Sequence, residues 1–293
     1  MQFTIAICTH NRDYILEQSV RAALAQDYAR GFEVLVVDNK STDNTPQVIR
    51  ALLVGNSRLR AVGERRQGLS HARNRAIAEA RGKFLIFVDD DAALCPEYLA
   101  RLDRVFQEVP DAGSVGGPIS LGWLGPRPSW YETGLDIWCN RLDHGPLRCF
   151  LKYPKILYGT NMAFPKKVLE GVGGFHTGLG RSGKGLADSE DLEIMLRIAR
   201  AGPPIVYDPG LSVTHYITED RLSRDYLLEK AAVHGRFRCV AEAMHGRANP
   251  LPSLGAWMLS LARSVIQPRR RSLSEKLIRR ASLFYLKQWV RSR

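Results

Sequence analysis

An α/β protein with a mainly parallel, doubly wound central sheet is predicted by three features of the sequence. Short apolar runs alternate with segments of helical period through the N-terminal third, and polar residues gather at the end of each run. The apolar run at 84–88 stops in three consecutive carboxylates, Asp89, Asp90 and Asp91. Alternation of this kind builds βαβ units, and the carboxyl ends of their strands form the ligand-binding edge of an open sheet.

Residues 3–8 read as the first strand, closed by the polar turn Thr9-His10-Asn11-Arg12. Ile15, Leu16, Ser19, Val20, Ala23 and Leu24 then fall on one side of a helix over 13–27. A second strand at 32–37 ends in Asp38-Asn39-Lys40-Ser41-Thr42-Asp43, and Pro46 suits the first turn of a helix over 46–54. Residues 59–62 form a third strand, and Gly68 precedes a helix over 70–81 that leads into the strand at 84–88. The middle, 112–160, carries Gly116-Gly117-Pro118, Gly125-Pro126 and three tryptophans, and reads as irregular loops over a pocket. A glycine-rich stretch over 171–185 precedes Asp188-Ser189-Glu190-Asp191 and a helix over 192–201, which Gly202-Pro203-Pro204 stops. Short strands at 205–207 and 211–214 bracket Asp208-Pro209-Gly210.

At 45% hydrophobic residues the 293-residue chain can bury a sizeable core, so global disorder is not expected. No segment reaches the ~18–20 uninterrupted apolar residues of a membrane-spanning helix. The N-terminus reads as a strand rather than a signal peptide. Five scattered cysteines without a CxxC pair point to a reducing compartment and argue against structural zinc, so a cytoplasmic protein is expected. The net charge of +12 is uneven: residues 236–293 hold 13 Lys/Arg against 2 Asp/Glu, the remainder 29 against 28.

Three acidic sites carry the chemistry. Carboxylates crowded at a strand end repel one another unless a cation lies between them, and Mg²⁺ favours one or two carboxylates together with phosphate oxygens and water. An acidic triplet alone equally marks a solvated turn, but the buried run before it places these acids at the sheet edge. Asp38, closing another buried strand, is either a turn aspartate or an acceptor for a base N–H or ribose hydroxyl. Glu190-Asp191 at a helix start complement the helix dipole or supply a general base. Arg73 is placed to clasp a phosphate or to sit exposed on its helix, and His215 offers an imidazole to a metal. The stretch 178–185 nearly matches a phosphate-binding loop, but Gly185 stands where Ser or Thr would ligate Mg²⁺. Neither GxGxxG after the first strand nor a GxSxG elbow is present, which leaves a dinucleotide cofactor and serine hydrolysis unsupported.

In order, Ile7-Cys8-Thr9-His10-Asn11-Arg12, Val36-Val37-Asp38-Asn39-Lys40-Ser41-Thr42-Asp43, Gly68-Leu69-Ser70-His71-Ala72-Arg73-Asn74 and Asp89-Asp90-Asp91 resemble the family 2 glycosyltransferases of GT-A fold. Gly159-Thr160-Asn161, Gly173-Gly174-Phe175, Glu190-Asp191 and His215 extend the match, which covers about residues 1–220. The resemblance implies a Rossmann-like GT-A catalytic domain over 1–220 and a basic helical extension over 221–293. It further implies inverting transfer of a sugar from a nucleotide diphosphate donor, most commonly UDP, to an acceptor hydroxyl. Thr9, His10, Asn11, Arg12, Asp38, Ser41, Gly68, Arg73, Asn74, Asp89 and Asp90 would hold the nucleotide sugar. His10 stands where the family more often has Tyr. Asp91, with Asp89 and His215, would bind Mg²⁺ or Mn²⁺; an acid at all three positions of the family's D-x-D pattern leaves the split of roles among them open. Asp191 would be the base, and Gly159, Thr160, Asn161 and Glu190 would meet the acceptor.

In the tail, residues 253–266 are apolar but too short to span a bilayer. Over 273–290, Leu273, Leu277, Ile278, Ala281, Phe284, Tyr285 and Trp289 fall along one stripe, with Arg279, Arg280 and Lys287 off it. Such a helix suits an anionic membrane surface or packs on the catalytic body or a second subunit. No nucleic-acid-binding module accompanies the charge, so no nucleic-acid partner is expected. The expected partners are a nucleotide-sugar donor, a saccharide or lipid-linked acceptor, and an anionic membrane on the inner face of the plasma membrane. A sugar-nucleotide nucleotidyltransferase and a non-catalytic nucleotide-binding subunit are the alternatives. Sugar, base, acceptor, linkage and oligomeric state stay open.

Overall fold

The computed structural model describes residues 1–182, 185, 187–266 and 272–292. Strands β1 (Phe3–Thr9), β2 (Phe32–Asp38), β3 (Leu59–Gly63) and β4 (Phe84–Asp89) lie parallel in the order β3-β2-β1-β4. Helices α1 (Leu16–Leu24), α2 (Thr45–Leu53) and α3 (Leu69–Glu79) connect them. Alternate residues of each strand serve opposite faces. Ile5, Ile7, Val34, Val36 and Ile86 join Leu16, Val20 and Ile49 of α1 and α2, whereas Ala6, Leu35, Val37 and Leu85 join Ala72, Ala76 and Ile77 of α3. Both faces are thus covered, as a parallel sheet requires.

Then follow β5 (Ala92–Leu94), α4 (Tyr98–Glu108), β6 (Ser114–Gly116), β7 (Ile119–Trp123), β8 (Cys149–Leu151), β9 (Met162–Pro165), α5 (Lys166–Gly171), α6 (Glu190–Ala201), β10 (Ile205–Tyr207) and β11 (Val213–Ile217). The main sheet continues from β4 through antiparallel β9 to β6, β10 and β8. A smaller sheet sets β11 between antiparallel β5 and parallel β7.

Two segments depart from the sequence reading. The middle region is not all loop: it supplies β6, β7 and β8 besides a 3-10 turn at Thr133–Cys139. Its glycines mark close backbone approach, since a Cβ on Gly116 would lie 2.4 Å from the Asn161 carbonyl oxygen and one on Gly117 2.3 Å from that of Leu211. His215 stands at the middle of β11 rather than at a strand end, because Leu211 belongs to the preceding turn, its N–H bonded to the Asp208 carbonyl.

Three helices close the chain: α7 (Arg224–Met244), α8 (Pro250–Ile266) and α9 (Leu273–Arg291). Ser223 caps α7 by accepting from the Tyr226 N–H, and Ser272 caps α9 by accepting from that of Glu275. The apolar stripe read on the last helix turns largely inward: Leu277 and Tyr285 are buried, and the Ala281 backbone lies against Gly235 of α7. Arg269, Arg270 and Arg271, and Gly183 and Lys184 of the near phosphate loop, lie outside the described residues.

Candidate active site

A cavity opens at the carboxyl ends of β1 and β4, lined by Thr9, His10 and Arg12 from one strand end and Asp89, Asp90 and Asp91 from the other. Arg73, Gly159, Thr160, Glu190 and Asp191 share it. The turn at 159–160 ties two of the acid sites together. The Gly159 N–H donates to Asp191 Oδ2 at 3.0 Å, and the Thr160 hydroxyl donates to Asp89 Oδ2 at 2.6 Å. A Cβ at position 159 would stand 2.6 Å from Arg73 Nη2, so a side chain there would have to displace the guanidinium.

Arg73 does not project from its helix into solvent. It is 2% exposed, near the rings of Phe87 and Phe175, with Nη1 2.7 Å from Glu190 Oε1 and Nη2 3.5 Å from Asp89 Oδ1. A buried guanidinium needs such partners. Glu190 is correspondingly a buried ion-pair partner rather than an open acceptor contact. Burial pushes its carboxyl up to about 7, with Asp191 and Asp188 adding to the rise and Arg73 opposing it.

The three consecutive acids face different partners. Asp89 is held by Arg73 and Thr160. Asp90 is pushed up to about 6 by burial and by Asp91, while Arg12, 3.7 Å away, pulls it down. Asp91 is 1% exposed; burial opposes its charge, but Arg221 Nη2 at 2.6 Å and His215 Nε2 at 3.2 Å hold it well below the usual carboxylate range. His215 pairs with Ala92 across the small sheet, which sets its ring beside Asp91. Its Nδ1 lies 3.0 Å from the Cys139 carbonyl oxygen, an acceptor only, so Nδ1–H donates there and Nε2 is the atom presented to Asp91.

Of the expected metal set, the structure brings Asp91 and His215 together and turns Asp89 toward Arg73 and Thr160. A carboxylate oxygen converging with an imidazole nitrogen oriented from behind suits Mg²⁺ or Mn²⁺. Arg221 now occupies both donor atoms, with Nη2 2.6 Å from Asp91 Oδ2 and Nη1 3.1 Å from His215 Nε2, so an ion would have to displace it. A second acid group lies at the start of α6, where ligand atoms of Asp188, Glu190 and Asp191 fall within 4.8 Å of one another. Ser189, at φ 72°, bends the chain between them. Asp188 is held low despite its burial by His234 Nδ1 at 2.9 Å. Asp191 is pushed up by burial and by Asp188, against the N–H groups of Gly159 and Leu192 and the charge of Arg73. Asp191 is half-buried, and a carboxylate of raised proton affinity facing a cavity can act as a general base.

The remaining expected residues divide between cavity, rim and scaffold. Thr9, His10 and Arg12 line the cavity, with His10 Nδ1 2.9 Å from the Asn39 carbonyl oxygen. Asn11, Ser41 and Asp38 form a rim network: the Asn11 N–H donates to Ser41 Oγ, and the Ser41 N–H to Asp38 Oδ1, both at 3.0 Å. Asp38 faces a neighbouring shallow depression with Lys40, Glu64 and Arg75. Gly68 opens α3 at φ 139° and donates its N–H to Asn39 Oδ1. Asn74 and Asn161 do not line the cavity. Asn74 staples α3 to Phe175 through the latter's N–H and carbonyl. Asn161 is wholly buried, accepting from the Tyr98 hydroxyl and donating to the carbonyls of Leu211 and Pro118.

Sequence reasoning missed Arg221 and Lys230, both in the cavity lining. Arg221 ends a single 3-10 turn, Glu219–Arg221, and Lys230 lies on α7 with Nζ bonded to the Trp138 carbonyl and Asn140 Oδ1. Burial pushes the Lys230 ammonium down from its ordinary value. Neither belongs to a motif, and both read in sequence as ordinary surface cations.

A family model described as glycosyl transferase family 2 matches residues 4–173. The chain is similar to a glucosyl-dolichyl phosphate glucuronosyltransferase of Haloferax volcanii, 23% identical over 85% of this chain and 80% of that protein. It is similar to the succinoglycan biosynthesis protein ExoM of Rhizobium meliloti, 27% identical over 89% and 81%. Among solved structures, the mannosyltransferase PcManGT from Pyrobaculum calidifontis, in complex with GDP-Man and Mn²⁺, superposes with a TM-score of 0.62 at 20% identity, covering 97% of this chain and 87% of that one. The fold is GT-A, with the helical region at the C-terminal end that the sequence led one to expect. With the family model matching more than half of its length, the chain belongs to glycosyl transferase family 2.

Proposed function

We propose that this glycosyltransferase moves a sugar, with inversion, from a UDP-sugar to a hydroxyl of a saccharide or lipid-linked acceptor in bacterial polysaccharide or glycolipid synthesis. The observation that carries the reading is one cavity holding both the Asp89–Asp91 strand end and Asp191 at the start of α6. In this assignment residues 1–220 are the catalytic part and 221–293 a helical extension, with Lys230 of α7 reaching the site.

Asp191 takes the proton of the acceptor hydroxyl as that oxygen bonds to the anomeric carbon. The bond from that carbon to the diphosphate oxygen breaks with its electron pair, and displacement from the opposite face inverts the centre. The burial and neighbouring negative charge that raise the proton affinity of Asp191 suit it to the task. Asp91 and His215 would hold Mg²⁺ or Mn²⁺, which when bound supplies Lewis-acid charge neutralisation to the departing diphosphate. Arg12, Arg221 and Lys230 add positive charge to the same cavity. Thr9, His10, Asn11, Ser41 and Asp38 bind the nucleoside end. Arg73, Gly159, Thr160 and Glu190 fix the acids in place.

Among the described residues no helix is long and apolar enough to cross a membrane. In this reading a lipid-linked acceptor is met at the bilayer surface, on its cytoplasmic side. A nucleotidyltransferase is disfavoured by the family match and a non-catalytic subunit by the presence of Asp191.

The test is thermal unfolding with UDP-, GDP-, dTDP- and CMP-sugars, with and without Mn²⁺, alongside transfer assays on Asp191→Asn. A ligand that binds only the folded state raises the midpoint. The expected result is a Mn²⁺-dependent rise with the UDP-sugars. Asp191→Asn should retain that rise and lose transfer by ~10²-fold or more. No rise with any donor, or full transfer by the variant, would overturn the reading.

A further inference from the structure

Helix α8 carries an exposed surface that the catalytic reading leaves unused. Leu251, Leu254, Met258 and Leu259 are 68%, 39%, 57% and 54% exposed. At ~100° per residue these four fall within about 140° of one helical face. Pro252, Gly255 and Ala262 are exposed as well, and between Ala248 and Ala262 the sequence has no charged residue. The opposite side of the helix is held: Ser260 is buried and donates to the Glu275 carbonyl of α9, and Trp257 and Leu261 are half-buried. A surface helix of a soluble protein ordinarily places Lys and Glu on its outer face, and a contiguous exposed apolar strip marks a contact surface.

Charge decides which partner fits. Residues 236–293 hold 13 Lys/Arg against 2 Asp/Glu. Arg247 lies exposed just before α8, and Lys276, Arg280 and Lys287 are exposed on neighbouring α9. An uncharged apolar strip flanked by cations is the pattern of a helix lying in the interface of an anionic bilayer. At 17 residues α8 extends roughly 25 Å, and it is not among the helices that could cross.

We propose that α8 is the membrane-docking element of this protein. Leu251, Leu254, Met258 and Leu259 enter the boundary between headgroups and acyl chains of an anionic bilayer, while Arg247 and the α9 cations meet lipid phosphates. The inference moves the membrane contact from the α9 stripe, which faces α7, to α8. It rests on the proposed lipid-linked acceptor for its purpose, though its test is independent of transfer.

The experiment is co-sedimentation of the full chain with vesicles of phosphatidylcholine alone and of phosphatidylcholine with about one third phosphatidylglycerol. The variants are a triple Leu251→Asn, Met258→Asn, Leu259→Asn protein and, on α9, Ile278→Asn; all four positions are exposed, so folding is retained and checked by thermal unfolding. The wild type should bind the anionic vesicles, and the triple variant should bind at least ten-fold more weakly. Ile278→Asn should bind within two-fold of wild type. Absence of wild-type binding, equal binding by the triple variant, or a dimer by light scattering that the triple variant dissociates would overturn the proposal; the last would mean a second copy covers the strip. A UDP-sugar stabilisation assay on the same samples separates the two readings. Absence of wild-type vesicle binding with donor binding intact removes only the docking role, and wild-type vesicle binding without donor binding removes the catalytic reading and leaves α8 as a membrane contact.

Discussion

One oxygen of Asp91 stands 2.6 Å from the Arg221 guanidinium and the other 3.2 Å from His215, so the charge expected to attract a divalent cation is already met by a side chain of the same protein. For Asp91 and His215 to hold Mn²⁺, Arg221 must give way, and its attraction to Asp91 is subtracted from the affinity of the ion. Arg221→Gln removes the competing charge and leaves a shorter, neutral polar side chain. The variant should therefore bind Mn²⁺ about ten-fold more tightly than wild type without donor, a difference of ~1.4 kcal/mol. Electron paramagnetic resonance titration of free Mn²⁺ measures this directly; unchanged or weaker affinity would mean that Arg221 supports the site instead of competing for it. At this scale the sequence was partly legible. Consecutive acids after a buried run stand out because burial and repulsion both penalise them. The direction in which Arg73 and Asn161 point did not, because their partners are remote: Glu190 lies 117 positions beyond Arg73, and Tyr98 63 positions before Asn161.

Helices α7 and α9 approach each other closely at Gly235. A Cβ placed on Gly235 of α7 would lie 1.9 Å from the Ala281 carbonyl oxygen of α9, a backbone atom that cannot rotate aside. Gly235→Ala consequently sets two effects against each other. Alanine favours the helix by ~1 kcal/mol over glycine, whereas overpacking a fitted interface typically costs ~1–3 kcal/mol. With backbone as the obstacle the steric effect should win, and thermal unfolding should show a midpoint lower by a few degrees. A raised midpoint would show that α9 can shift at little cost. The elements themselves were legible in proportion to their length. Strands β1, β2 and β4, of six or seven residues, are buried runs long enough to be recognised, and β3, five residues and only half-buried, follows them in the alternation. Strands β5, β6, β8 and β10 have three residues each, too few to display a period, and they are held by the sheet around them.

Across the molecule, the change from α/β to all-helical architecture near residue 220 is not a seam in the packing. One apolar cluster combines Leu135, Trp138, Ile217 and Leu222 with Leu227 and Ala231 of α7 and Leu277 of α9. Glu242 of α7 is buried and accepts hydrogen bonds from Tyr153 of the catalytic part and from Tyr285 and Arg238. Lys230 lines the cavity while bonding the Trp138 carbonyl. The sequence displayed the architectural change, through its shift in charge and periodicity, but not this cross-packing, which depends on residues that meet only after the sheet has formed. Elements that share buried contacts lose them together, so both regions should unfold in one transition. Tryptophan emission can separate them, because Trp123, Trp130 and Trp138 belong to the catalytic part and Trp257 and Trp289 to the tail. In urea, a Trp257→Phe, Trp289→Phe variant reporting on the first three should have the same midpoint by fluorescence as by far-ultraviolet circular dichroism, which follows the helices of the whole chain. A dichroism transition that precedes the fluorescence transition would make the tail a separately folding unit. Coincident transitions would mean that tightening α7 against α9 also steadies Lys230 in the cavity, coupling the stability of the tail to that of the site.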